Sequence, residues 1–307
     1  MALVDEIREA CAHVAANALW VRIEDEWLEP YARSLPVPPA DLGPEPEVAV
    51  LEGPVDVRAA FALTLDAINF GSGWWPEIRK RPGRSGFYTM ALGVRERFDA
   101  RGPWTATELA RIEAEEVAGV LGQDPDHELM RLYAASLRDL GRWVAEAYGG
   151  RFSTVAEAGG GSAVALVEEL ARAPCFSDFS IYRGRRVPFL KRAQLACADL
   201  HHAGVARFGD LDRLTLFADN LVPHVLRVDG VLTYDERLAA GIDAGELLEH
   251  DSEPEVEIRA CAVEAVERMA RGRPELSPQE LDHLLWNRGH GPKYKSRPRH
   301  RARCTAY

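Results

Sequence analysis

Three stretches of this sequence carry acids in settings that could do chemistry. Asp219 stands in Leu214-Thr215-Leu216-Phe217-Ala218-Asp219-Asn220-Leu221-Val222-Pro223. So apolar a run would partly desolvate a carboxylate and raise its pKa unless partners compensate. Such a group suits acid–base work or the stabilisation of a cationic transition state. The same string also reads as a helix start, with Asp219 or Asn220 as cap. Asp199 flanks the helical stripe Leu190, Ala193, Cys197, Leu200, which places it either beside a cleft or in solvent next to an arginine. Asp282, His283 and Asn287 surround Leu284-Leu285-Trp286. On a helix, 282 pairs with 286 and 283 with 287, giving two adjacent polar–aromatic rows for a ligand; a half-exposed amphipathic helix has the same pattern.

Asn69, Phe70, Trp74 and Trp75 cluster around the Gly71-Ser72-Gly73 turn. Aromatic faces and an amide can stack on and hydrogen-bond a planar heterocyclic base, or simply fill a core. Lys293, Lys295, Arg297, Arg299, His300, Arg301 and Arg303 form a basic tail that could hold one phosphate, or could be solvated or bind a partner. His201-His202 and His250-Asp251 lack the spacing of a dense metal-ligand cluster. Gly159–Gly161 lacks the Lys-Ser/Thr of a phosphate loop.

The elements that must position these groups are helical. Apolar spacing predicts helices over 3–29, 55–70, 85–100, 126–148, 189–202, 211–217, 221–228, 234–240, 254–271 and 278–286. Thr105-Ala-Thr-Glu108 and Ser277-Pro-Gln-Glu280 are capping boxes, and Ser162 is an N-cap candidate. Prolines from Pro36 to Pro54 make a loop, and residues 179–188 form at most one short β ribbon. No repeat or low-complexity segment interrupts the pattern. The expectation is an all-α chain, one compact domain of stacked helices over residues 1–307.

Composition bounds the function. The 307 residues are 47% hydrophobic, with a net charge of −11, a poor balance for gripping nucleic-acid phosphates. No apolar run reaches a membrane span, and the charged N-terminus is unlike a signal peptide. Five cysteines without a CxxC pair suit reduced thiols in the cytoplasm.

An ordered set of strings then resembles the queuosine-salvage protein family. The set comprises Asp66-Ala-Ile-Asn69-Phe70 with Trp74-Trp75, Ser85-Gly86-Phe87-Tyr88, and Gly184-Arg-Arg-Val-Pro-Phe189-Leu-Lys191-Arg192-Ala-Gln194-Leu with Ala198-Asp199. It continues with Phe217-Ala218-Asp219, Leu221-Val-Pro223, Glu255-Val-Glu257-Ile-Arg259, Leu281-Asp282-His-Leu-Leu-Trp286 and His300-Arg301-Ala-Arg303-Cys304-Thr-Ala-Tyr307. The strings cover nearly all of the chain after about Val55; residues 1–54 match weakly.

The resemblance implies an all-helical fold with a core similar to helical DNA glycosylases. It implies hydrolysis of queuosine 5′-phosphate to queuine and ribose 5-phosphate, for salvage of a tRNA-modifying base, without cofactor or metal. It makes Asp219 the catalytic carboxylate and Asp199 a second active-site acid. It makes Phe217 a stacking neighbour of the base and puts Asp282, His283 and Asn287 at queuine. Asn69, Phe70, Trp74 and Lys191 join the substrate-binding set. The partners implied are the small-molecule substrate and product, with no membrane and no direct nucleic-acid contact. Two other readings fit the residues alone: a non-catalytic helical scaffold for nucleic acid or protein, and a nucleoside hydrolase for a different base.

Overall fold

The computed structural model describes residues 1–37, 47–49 and 52–307. Pro38, Pro39, Pro44 and Pro46 of the expected proline-rich loop lie outside the described residues. The chain divides into two compact units, each discontinuous in sequence. The first joins the N-terminal segment from Met1 to Asp178–Lys191 and Asp212–Tyr307; the second joins the segment ending at Ser177 to Arg192–Leu211.

Helices dominate both units, as the apolar spacing predicts. In the first unit the Glu253–Gly272 helix is the centre, buried on most of its faces, and the Leu3–Asn17 helix lays Val4, Ile7, Cys11 and Val14 against it. The helix expected over 3–29 instead breaks after Asn17, passes through the strand Val21–Ile23 and resumes at Asp25–Ser34. The cause is remote in sequence. One carboxylate oxygen of Glu257 accepts the N–H groups of Leu19, Trp20 and Val21 at 3.0, 2.6 and 3.2 Å. These donors are thereby drawn out of the helical ladder.

Strand Val21–Ile23 pairs antiparallel with Leu232–Tyr234, and Phe179–Tyr182 with Arg185–Pro188. Among the described residues there are thus two short ribbons where the sequence predicts at most one. Tyr234 ends a strand, and the next helix starts at Glu236 behind the Asp235 cap. The helix expected over 211–217 is also absent. A single 3-10 turn, Leu211–Arg213, gives way to irregular backbone through Leu214–Asn220. Leu214, Leu216 and Ala218 are fully buried there, so burial and not helical period explains their apolar character.

In the second unit the Val55–Ala67 and Glu128–Tyr148 helices pack together. The latter also lies close against Ala106–Leu109, where a Cβ on Gly141 would stand 2.3 Å from the Ala110 nitrogen. Thr105, Ser162 and Ser85 cap the helices that follow them. Among the described residues no helix is long and apolar enough to cross a membrane, and all five cysteines are free and buried.

Candidate active site

Asp282 rides on the Pro278–Arg288 helix, whose start the sequence marks correctly. Ser277 Oγ accepts the Glu280 N–H at 3.3 Å, and Glu280 returns a bond to the Ser277 N–H at 2.7 Å. The cap sets the register that turns Asp282 inward, where it is 6% exposed. Its Oδ1 accepts the Phe217 N–H at 3.2 Å, tying this helix to the irregular stretch that carries Asp219. Burial above all, and then the charge of Asp219, push the Asp282 carboxyl well above the usual carboxylate range; the Phe217 bond and Lys191 pull the other way. Asp282 therefore keeps its proton to a higher pH than an ordinary carboxyl group does.

Asp219 is half-buried. Its Oδ1 accepts the N–H groups of Leu221 and Val222 at 2.7 and 3.0 Å, at the head of the Val222–Val228 helix. The cap reading of Asp219 is thereby met. One oxygen caps a helix, and the charge of the carboxylate is near enough to raise the pKa of Asp282.

Two residues that sequence reasoning passed over hold this arrangement. Arg259, fully buried, donates from Nε to the carbonyl oxygen of Ala218 at 3.1 Å. Its other two nitrogens grip Asp178 at 3.1 and 2.7 Å, and its guanidinium lies over Phe189 at 3.9 Å and Tyr307 at 4.9 Å. Burial alone would lower its pKa, but Asp178 and Glu255 outweigh that and raise it, so the cation is secure. Asp178 Oδ2 also accepts the Lys191 N–H at 3.1 Å. One guanidinium thus ties the backbone before Asp219 to the segment that presents Lys191. The signal was available: Arg259 shares a helix face with Val256, Val263 and Val266, an odd place for a charge unless it is paired inside.

Phe217 is 8% exposed and Lys191 6%. His283 is half-buried, which keeps its imidazole below its usual pKa and so neutral. Asn287 Nδ2 donates to His283 Nε2 at 2.8 Å, the expected one-turn pair. Phe217, Asp219, Lys191, Asp282, His283 and Asn287 all belong to the first unit.

Asn69, Phe70, Trp74 and Asp199 belong to the second unit. Phe70 is fully buried, edge-on to Tyr133 with ring centroids 4.9 Å apart, and its carbonyl accepts the Tyr133 hydroxyl at 2.7 Å. Trp74 is buried with Nε1 donating to Glu128 at 2.7 Å. Asn69 is buried, and Asp199 is half-buried on the Lys191–His202 helix.

The structure does bring His250 and Asp251 together with Glu255, all within 4.8 Å, close enough to hold an ion. Burial would lower the His250 pKa, but hydrogen bonds to Cys304 and Glu255 raise it to about 10. Protonated, the ring pairs with Glu255 Oε2 at 3.5 Å.

Comparison with known proteins fits this geometry. The profile of the family described as queuosine salvage protein matches residues 53–307. A Sphaerobacter thermophilus protein named queuosine 5′-phosphate N-glycosylase/hydrolase is 36% identical, over 82% of this chain and 82% of its own. Proteins of the same name from Dictyostelium discoideum and Mus musculus are 30% and 29% identical, covering 82% and 98% of this chain and 79% and 98% of theirs. The matched region contains Asp178, Lys191, Phe217, Asp219, Arg259 and Asp282 together, and on this match the chain belongs to the queuosine salvage protein family.

Proposed function

We propose that this protein hydrolyses queuosine 5′-phosphate to queuine and ribose 5-phosphate, and that Asp219 and Asp282 divide the chemistry between them. The observation that carries the reading is the buried Asp282, its carboxyl pushed above the usual carboxylate range by burial and by the neighbouring Asp219. Two neighbouring carboxyl groups, one of them favoured in its acid form by burial, are what acid–base cleavage of a glycosidic bond uses.

The C1′–N bond breaks with its electron pair going to the base. Positive charge grows on C1′ and the ring oxygen. Asp219, its backbone anchored by Arg259 and one oxygen anchored by the Leu221 and Val222 N–H groups, supplies fixed negative charge to that cation. A water then adds to C1′, and its proton restores the acid form of Asp282, which has given its own proton to the leaving base. The 7-deazapurine has no N7 to protonate, so the leaving base needs a donor elsewhere on its ring. Asp282, whose raised pKa favours the acid form, is the donor we assign there. Phe217 offers a ring face to the base, and neutral His283 with Asn287 offers polar contacts at its edge. Lys191 is a cation beside the pair. The roles proposed are confined to the first unit; packing already accounts for Phe70 and Trp74 within the second.

The net charge of −11 supports a small-molecule substrate over a nucleic acid, and five free, buried cysteines support a reducing compartment such as the cytoplasm. The test is incubation with queuosine 5′-phosphate, queuosine and the four common nucleoside monophosphates, followed by mass spectrometry. Queuine and ribose 5-phosphate are the expected products. Release of an ordinary base in preference to queuine, or no release at all, would overturn the reading.

A further inference from the structure

We propose that His250, Glu255 and Cys304 form a zinc site in the first unit, with Asp251 as the carboxylate that orients the histidine ring. The site goes beyond the glycosidic chemistry proposed above and uses none of its residues.

Backbone register builds the site. Leu248 pairs in parallel with Ala302, and the Leu248 N–H donates to the Arg301 carbonyl at 2.9 Å. Two residues further along each segment stand His250 and Cys304, on the same side as that pair. Their side chains are hydrogen-bonded to each other. The chain then turns at Asp251, whose φ of 63° aspartate tolerates better than most residues. The Asp251 N–H donates to Glu255 Oε2 at 3.2 Å, which folds the turn onto the start of the Glu253–Gly272 helix.

The spacing suits a metal ion. His250, Asp251 and Glu255 each offer a donor atom within 4.8 Å of the others. His250 Nδ1 stands 3.5 Å from Glu255 Oε2, and Nε2 stands 3.7 Å from Asp251 Oδ1. Zinc bonds of about 2.0–2.1 Å in a tetrahedron put neighbouring N and O ligands about 3.3 Å apart, so Nδ1 and Glu255 need move little to share one ion. Nε2 then keeps its proton for Asp251, as carboxylate–histidine–zinc groups do. An imidazole, a carboxylate and a thiolate favour zinc over magnesium or calcium, which take oxygen ligands. His250 is half-buried and Asp251 exposed, which leaves the ion a way in and a water the fourth position.

Glu255 gives an independent reason. It is fully buried, and its Oε1 makes no hydrogen bond of ordinary geometry. Arg259, one helical turn on, offsets part of its charge but directs its hydrogen bonds to Asp178 and the Ala218 carbonyl. A buried carboxylate oxygen left in this way costs stability until a cation completes it.

The test titrates zinc into the full-length, chelator-washed protein against a chromophoric chelator. Wild type should take up one ion per chain at this site, with excess magnesium or calcium failing to displace it. D251N should bind about 10- to 100-fold more weakly, and H250Q and C304S should lose the site. Zinc should raise the melting temperature of wild type and leave that of H250Q unmoved. Cobalt(II) in place of zinc should show a near-ultraviolet sulfur-to-cobalt charge-transfer band that C304S lacks. No zinc uptake by wild type, or equal affinity in H250Q and C304S, overturns the proposal. So does a cobalt spectrum of wild type without the sulfur band, a reading that needs no variant to fold.

Discussion

Arg259 donates from Nε to the carbonyl oxygen of Ala218 at 3.1 Å, and so fixes the peptide on which Asp219 stands from a residue 41 positions away. The same guanidinium neutralises Asp178, whose side chain is 1% exposed. Breaking such a pair leaves one buried charge alone. R259M should therefore destabilise the first unit by about 3–5 kcal/mol. Thermal melting followed by circular dichroism would register it, and a melting temperature equal to that of wild type would contradict the pairing.

Asp219 has a structural and a chemical duty that substitution can separate. D219N keeps an Oδ1 able to accept the Leu221 and Val222 N–H groups, and loses the negative charge. It should melt close to wild type while queuine release falls at least about a hundredfold. D219A loses the cap as well and should drop by about a further 1 kcal/mol in stability. Turnover assays beside melting curves for both variants decide the matter; near-normal turnover by D219N would end the proposed role.

The raised pKa of Asp282 has a pH signature. Its folded-state pKa lies above the unfolded value of about 3.9, so folding takes up a proton. Below the unfolded pKa there is no penalty. As pH rises past it, the unfolded chain ionises while the folded carboxyl resists, and the penalty grows until the folded pKa is reached. D282N retains an acceptor for the Phe217 N–H and removes the penalty. It should gain stability over wild type as pH rises from 4 toward 8, and lose queuine release. Denaturant melts across that range would expose the error if the difference were flat or of opposite slope.

Ser277 matters to the site only through the helix it starts. S277A removes the acceptor for the Glu280 N–H and should cost about 1 kcal/mol. Because the cap sets how Asp282 enters the core, the Michaelis constant should rise along with the loss of stability. An unaltered melting temperature would mean that the capping box contributes nothing here.

What the sequence made legible was local. The capping boxes at Thr105 and Ser277, the Ser162 cap, the ribbon over 179–188 and the 283/287 pair all depend on residues within a few positions of one another. What escaped depends on distant partners. Glu257 breaks the first helix from 238 positions away, and Asp282 meets Phe217 across 65. No periodicity encodes such contacts. The helix expected over 211–217 failed for a related reason: an apolar string is also what an irregular segment needs when it threads a core. The proximity of Asp219 to Asp282 depends on such long-range bonds.

The discontinuous build of the first unit bears on how the chain acquires its shape. Arg8 bonds Glu267 across 259 positions, and the Leu3–Asn17 helix has the Glu253–Gly272 helix as its bed. During synthesis that amphipathic helix must wait, with Val4, Ile7 and Val14 uncovered, until the Glu253–Gly272 helix has left the ribosome. High contact order of this kind slows folding and exposes apolar surface to other nascent chains. Chaperone demand during expression should accordingly fall on the Leu3–Asn17 face.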